Sequence, residues 1–366
     1  MIRWIAIALL CTVLVSGFPA HLQDAACDLP TDGWDTVAPE EAGLDGEVLE
    51  AGEATVEDDL PYVRSVLVIR HGCLAYEHYY GDVTAEDAAN VFSVTKSVTA
   101  TLIGIAIAEG AISSVHDSIA DYLDLDAADP RAAITVRHLL WMLSGLGWQE
   151  GNPSHIVGML LGTRDEVDFI LNLPLDHVPG TTWSYSTADS HLLSAVLTAA
   201  TGESAADFAA ETLFGPLGIV PYDWKTDPEG INLGGTELWL TPRDMAKFGL
   251  LILNEGRWGE DELVSPEWIA FMTRPQLADP SIYRQSYAAH WWHTLFDGYP
   301  PMSSALGYGG QFILVMPDFD AVVVVTADSM RGSSYIDDTT SSRHIEDILD
   351  YLEQSVLPAF QREPAR

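Results

Sequence analysis

The amino-acid sequence predicts an α+β fold: an antiparallel sheet built from both ends of the chain and flanked by helices, with a mainly helical lobe inserted between its halves. Three observations carry this reading. Runs rich in β-branched and aromatic residues stand near the start, at 62–70 and 74–80, and return near the end, at 287–293, 311–316 and 321–326. Between them the apolar residues recur at helical spacing, and a last helical pattern at 345–357 closes the chain. A cleft between sheet and inserted lobe is the natural place for a ligand.

Taken in order, residues 1–20 read as a secretory signal, with a short positive start at Met1-Ile2-Arg3, an apolar stretch at 4–15 and the small-residue region Gly17-Phe18-Pro19-Ala20. The expected location is secreted or periplasmic; an uncleaved anchor is the alternative. Cys11 leaves with the signal, while Cys27 and Cys73 remain, and an oxidising compartment lets two such thiols pair. Residues 21–42 are a polar, extended lead-in, and 43–362 form one domain. Within it, 43–92 and 285–360 make the sheet lobe and 93–284 the helical lobe.

Gly43-Leu44-Asp45 opens a helix running to about residue 59, with Leu44, Val48, Leu49 and Val56 as a sparse apolar stripe. The first two strand-like runs are split by His71-Gly72 and so form a hairpin. Helices are expected at 135–143, 163–171, 190–200, 205–213, 242–254 and 266–272, punctuated by Gly145, Pro179-Gly180, Gly215-Pro216 and Gly256. The acidic piece at 124–129 reads as a solvated turn.

Composition narrows the function. The 366 residues are 48% hydrophobic and 10% aromatic, enough for a large core. The net charge of -37, from 54 acids against 17 Lys and Arg, repels nucleic acid and anionic membranes, and both are set aside as partners. No Asp-x-Asp-x-Asp-Gly loop, His-Glu-x-x-His pair, Gly-x-Ser-x-Gly elbow or phosphate-cradling glycine loop occurs. No metal or cofactor is expected.

The stretch with chemistry in it is Phe92-Ser93-Val94-Thr95-Lys96-Ser97, which opens the apolar run 98–109. At i, i+3 spacing Lys96 can reach the Ser93 hydroxyl, and serine becomes a useful nucleophile when a neighbouring base takes its proton. The bland alternative is a helix-capping serine and an ordinary helix lysine. With three lysines and 25 serines in the chain, some Ser-x-x-Lys arises by accident roughly one time in five. Position favours chemistry, because an amine among apolar residues has a lowered pKa.

Several stretches together resemble the serine β-lactamase and penicillin-binding-protein superfamily, within it the β-lactamase-related hydrolases that include class C enzymes, carboxylesterases and 6-aminohexanoate-dimer hydrolases. They are SVLVIRHG, FSVTKSVTATLIGIA, ITVRHLLWMLSGL, WSYSTADSHLLSAVLTAATG, TPRDMAKFGLLILNEG and LGYGGQFILVMP, and the likeness runs from about Gly43 to the end. It implies a β-lactamase-like catalytic domain, with Ser93 as nucleophile, Lys96 as base and Tyr185 of Tyr185-Ser186-Thr187 sharing the base role. Tyr185 reads otherwise as a turn-anchoring aromatic. Thr187 stands where relatives carry asparagine, and a hydroxyl lacks the amide's two donors. The third motif is implied at Tyr308-Gly309-Gly310 followed by Gln311, with the amides of Ser93 and Gln311 holding the oxyanion; Tyr308 replaces a cation used to hold a carboxylate. The expected partner is therefore a small-molecule ester or amide rather than a β-lactam. The rivals are a β-lactamase or D,D-peptidase, and a non-catalytic binding or sensor module on the same fold. His138, His191 and His290 are expected to be satisfied core or cleft residues. Of Trp291 and Trp292, one is expected to point into the core.

Overall fold

Val63–Arg70 (β1) and Cys73–Tyr79 (β2) form the expected hairpin because His71 and Gly72 both take positive φ, 52° and 79°, which suits the tight connection between twisted strands. The computed structural model describes residues 27–31, 33–220, 223–275, 277–282, 285–328 and 338–360. The signal expected at 1–20 lies outside them. Cys27 and Cys73 are joined by a disulfide, with Cα atoms 5.0 Å apart, so the lead-in is fastened to the start of β2.

The later strands are Leu277–Ile282 (β3), Gln285–Tyr287 (β4), Trp292–Thr294 (β5), Met302–Gly307 (β6), Gln311–Met316 (β7) and Ala321–Ala327 (β8). They join the hairpin in one eight-stranded antiparallel sheet of order β2-β1-β8-β7-β6-β5-β4-β3. Strands from the two ends of the chain meet in its middle, where β1 pairs with β8 from Val63↔Ala327 to Arg70↔Ala321.

Both faces of the sheet are covered, which is why the central strands read as continuous apolar runs. Ile313, Val315, Val322 and Val324 point into one hydrophobic core. Phe312, Leu314, Val323 and Val325 point into another, as the two-residue period of a strand requires. The first core packs against Val94–Ala108 (α2), Thr187–Thr201 (α3) and Pro242–Leu253 (α4). The second packs against Gly46–Asp59 (α1) and Asp338–Tyr351 (α5).

Helix α2 is buried all round, from Val94 to Ala106, so its sequence is apolar on every face rather than striped. Gly104 lets Trp268 close on it: a Cβ there would stand 2.1 Å from the indole nitrogen, and that indole donates to the Ala100 carbonyl at 3.1 Å.

Three expectations change. The single strand expected at 287–293 is two, β4 and β5, because His290 has φ 61° and breaks it. The helix expected at 135–143 is only Val136–Leu140, ended by Met142 at φ 55°. The helix Pro153–Leu161 and strands β3 and β6 were not anticipated. Trp291 points into the core against Phe248, while Trp292 faces Tyr185.

Candidate active site

Ser93 sits at the start of α2, but its hydroxyl makes no capping bond to the helix, and its backbone is already helical (φ -71°, ψ -5°). The capping explanation of the serine therefore falls. The residue before it, Phe92, is held at φ 46°, a conformation that costs on the order of 1 kcal/mol or more for a bulky side chain. What holds it is Asn90, whose Oδ1 accepts from the Phe92 N–H at 2.8 Å and whose Nδ2 donates to buried Glu237 at 2.7 Å. Lys225 in turn pairs with Glu237 at 2.7 Å.

Lys96 is 2% exposed. Its Nζ donates to Ser93 Oγ at 2.9 Å, to Thr187 Oγ1 at 3.0 Å and to the Gly235 carbonyl at 2.8 Å. Burial lowers its pKa to about 8, with the negative charge of Glu150 acting in the opposite sense. Remove one proton, and the two N–H groups of the neutral amine are matched by Thr187 and Gly235, which leaves the lone pair facing Ser93.

That arrangement depends on two elements besides α2. Thr187 opens α3. Gly235 belongs to a loop pressed so close that a Cβ would stand 3.1 Å from Lys96 Nζ and 2.9 Å from Thr187 Cγ2. Its neighbour Gly234 accepts from Thr99 Oγ1 at 2.7 Å. Neither glycine was expected at the site; the Gly-Gly pair before a strand was the signal available.

Tyr185 lies under the lysine, with Nζ 5.1 Å from its ring centroid, and stacks on Trp292 at 5.8 Å. Behind this pair is a buried polar layer. Asp189 Oδ1 accepts from Ser144 Oγ at 2.7 Å and Ser186 Oγ at 2.8 Å, and burial raises its carboxyl to about 7. His290 bonds through Nε2 to Ser190 at 3.0 Å, and burial, followed by the nearby Lys96 charge, lowers it to about 3, so it is neutral. His191 pairs with buried Asp227 at 3.2 Å, and His138 sits at the cap of a short helix, close to the Thr135 N–H. His138 and His290 are partnered structural residues, as expected; His191 is partnered at Nε2 only, and its buried Nδ1 has no hydrogen-bond partner.

Ser93, Tyr185 and Thr187 line one cavity of about 520 Å³ together with Leu306, Gly307 and Tyr308 of the opposite strand. Of the third motif, Tyr308 alone is among the lining residues. Tyr308 is on the wall, its ring 5.6 Å from that of Phe92. Gly309, Gly310 and Gln311 are not among the lining residues. A Cβ on Gly310 would meet Ile348 of α5, and the buried side-chain amide of Gln311 is bonded to Ala327, donating to its carbonyl at 2.6 Å and accepting from its N–H at 3.3 Å. The position of the hairpin turn moves the wall toward the N-terminal side of the expected site.

Glu150, not expected from the sequence, also lines the cavity. Its Oε1 accepts from the Trp148 indole at 2.9 Å and from the backbone N–H of Thr187. Among the described residues no cluster of three His, Cys, Asp or Glu side chains could hold a metal ion, and no helix is long and apolar enough to cross a membrane.

A buried lysine beside a serine at a helix start, faced across a cleft by a strand edge, defines the class: the β-lactamase and penicillin-binding-protein fold. The family model described as Beta-lactamase matches residues 63–345, and the chain belongs to that family, one of serine hydrolases that spans esterases, amidases and penicillin-binding proteins. Penicillin-binding protein 4* of Bacillus subtilis (strain 168) is 29% identical over 46% of this chain; the match spans only 40% of that relative's length. The 6-aminohexanoate-dimer hydrolase of Paenarthrobacter ureafaciens is 24% identical over 70% of each chain. Among solved structures, EstCE1, a hydrolase with promiscuous acyltransferase activity, superposes with a TM-score of 0.67 at 17% identity, covering 84% of this chain and 98% of its own. The octameric penicillin-binding protein homologue from Pyrococcus abyssi gives 0.65 at 20% identity, over 85% and 79%.

Proposed function

We propose that this chain is a secreted serine hydrolase that cleaves a carboxylic ester or small amide through an acyl-enzyme at Ser93. One observation carries the reading: a buried amine 2.9 Å from a serine hydroxyl, its other two bonding directions anchored by Thr187 and Gly235. Neutral Lys96 takes the Ser93 proton as Oγ attacks the substrate carbonyl. The backbone amides of Ser93 and Tyr308, both on the cavity wall, hold the developing oxyanion. Lys96, with Tyr185 sharing the role, returns the proton to the departing alcohol or amine. Water then attacks the acyl-enzyme by the same route in reverse and frees Ser93. Secretion is supported by the apolar stretch at 4–15 and by the Cys27–Cys73 disulfide, which an oxidising compartment sustains.

The relationship to penicillin-binding protein 4* favours a second reading, acylation by penicillins; the threonine at 187 and tyrosine at 308 weigh against it. Wild type and Ser93→Ala are to be assayed with p-nitrophenyl esters, nitrocefin and an amide panel, with intact mass measured after a serine-directed phosphonate. The expected result is labelling and ester turnover that vanish in Ser93→Ala. An unlabelled wild type without Ser93-dependent turnover would leave the fold to a non-catalytic role.

A further inference from the structure

The cavity in front of Ser93 is apolar on most sides, with Trp148, Ile156, Leu160, Trp183, Trp292 and Ile345 in its wall. Against that wall stands one charge. Glu150 is the single carboxylic acid among the lining residues described, and no lysine or arginine lines the cavity beside it. The carboxylate is built in rather than draped over the mouth: its Oε1 accepts from the Trp148 indole and from the Thr187 N–H, and Thr187 Oγ1 accepts from Lys96. It is also near enough to the lysine to oppose the lowering of its pKa.

A substrate carboxylate entering this space would lose water against aromatic and aliphatic side chains, find no lysine or arginine on the lining to pair with, the buried Lys96 being bonded to Ser93, Thr187 and Gly235, and meet a like charge where field lines are poorly screened. A neutral chain would lose nothing and gain apolar contact. A cationic chain would lose the same water as the anion but meet an opposite charge.

We infer that Glu150 acts as a charge filter on the acyl-transfer site, admitting esters with neutral or cationic chains and rejecting those that carry a carboxylate. The inference rests on the acyl-transfer reading given above. It makes Glu150 a specificity-determining residue, and it assigns the natural substrate to the class of neutral or cationic esters and amides with an apolar body.

Three esters of matched length test it on the full chain: the mono-p-nitrophenyl ester of adipic acid, the same compound capped as its methyl ester, and p-nitrophenyl 6-(dimethylamino)hexanoate. Wild-type kcat/KM should favour the methyl ester over the acid by about 10-fold or more, and the cationic ester should also exceed the anionic one by about 10-fold. If apolar desolvation alone set the preference, the two charged esters would suffer alike, and that outcome overturns the filter using wild type only.

In Glu150→Gln the amide oxygen still accepts from Thr187 and Trp148, so the wall is kept and only the charge is lost. The ratio of methyl ester to acid should then collapse by about 5-fold or more, mainly through KM for the acid. A changed Lys96 basicity in this variant affects each ester equally and cancels in the ratio. An unchanged ratio overturns the role of Glu150. Absence of Ser93-dependent turnover with any ester strikes down the acyl-transfer reading itself, and the filter with it, which is a different result from turnover without discrimination.

Discussion

The two walls of the cleft are made of different material. On the helical wall, Lys96, Thr187, Ser190 and Asp189 are all buried and polar, and the structure gives each a named partner, with His290 reaching Ser190 from the connection between β4 and β5. On the strand wall, Leu306, Gly307 and Tyr308 offer the substrate backbone and apolar surface. The difference teaches where side-chain identity matters. A change on the helical wall deletes the proposed proton acceptor or strands a buried polar partner, whereas a change on the strand wall reshapes a surface whose N–H groups any residue would supply.

The most severe way to break this contrast is Lys96→Ala. With lysine as the proposed proton acceptor, acylation should fall by about 100-fold to 10,000-fold in stopped-flow measurements. Tyr308→Ala should cost less than about 10-fold, because the backbone amide stays. Equal losses in the two variants would abolish the distinction between the walls.

A second test uses pH. Lys96 must be neutral to accept a proton, and burial places its pKa at about 8. The fraction of competent enzyme therefore rises with pH, about tenfold per unit below about 8, and levels above it. The kcat/KM profile should show that rising limb. In Glu150→Gln the limb should move to lower pH, since a negative charge that favours the ammonium form is gone. A profile flat from pH 6 to 9 would remove lysine from the role.

Gly235 sharpens the comparison further. Gly235→Ala places a methyl against Lys96 Nζ and Thr187 Cγ2, so the amine must tilt from Ser93. We expect about a 10-fold loss in kcat/KM with KM little changed. Wild-type turnover in this variant would show that the lysine's three-point anchoring is not needed.

Legibility followed the same division. Ser93, Lys96 and Tyr185 could be read from the sequence because the proposed chemistry resides in their functional groups, and the structure gathers them round one cavity. The sheet built from both termini was legible because β7 and β8 are covered on both faces and so read as unbroken apolar runs. The sequence pointed to Gln311 for the oxyanion donor, whereas we propose Tyr308, the member of that motif on the cavity lining; a backbone amide leaves no mark in the side-chain pattern that would choose between them. Glu150 was invisible for another reason: one acid among 54 in the chain carries no signal until the loop from Ser144 folds over α3. The break at His290 was hidden because a positive φ at a histidine is fixed by tertiary contacts, here the Ser97 hydroxyl on its carbonyl at 2.7 Å.

The smallest expected effect concerns Asp189, which lies behind the helical wall and fastens the Ser144 loop to the cap of α3. Burial raises its carboxyl to about 7, against about 3.9 in an unfolded chain. Between about pH 4 and pH 7 the folded protein therefore binds a proton that the unfolded chain has released, and stability falls as pH rises through that window. Asp189→Asn keeps one oxygen acceptor and removes the titration. Its turnover should drop by less than about 5-fold, while the wild type gains on it in Tm by about 2–4 °C as pH is lowered from 8 to 5. A constant Tm difference across that range would mean that Asp189 does not titrate there, and that the proton-linked groups of the helical wall end at Lys96.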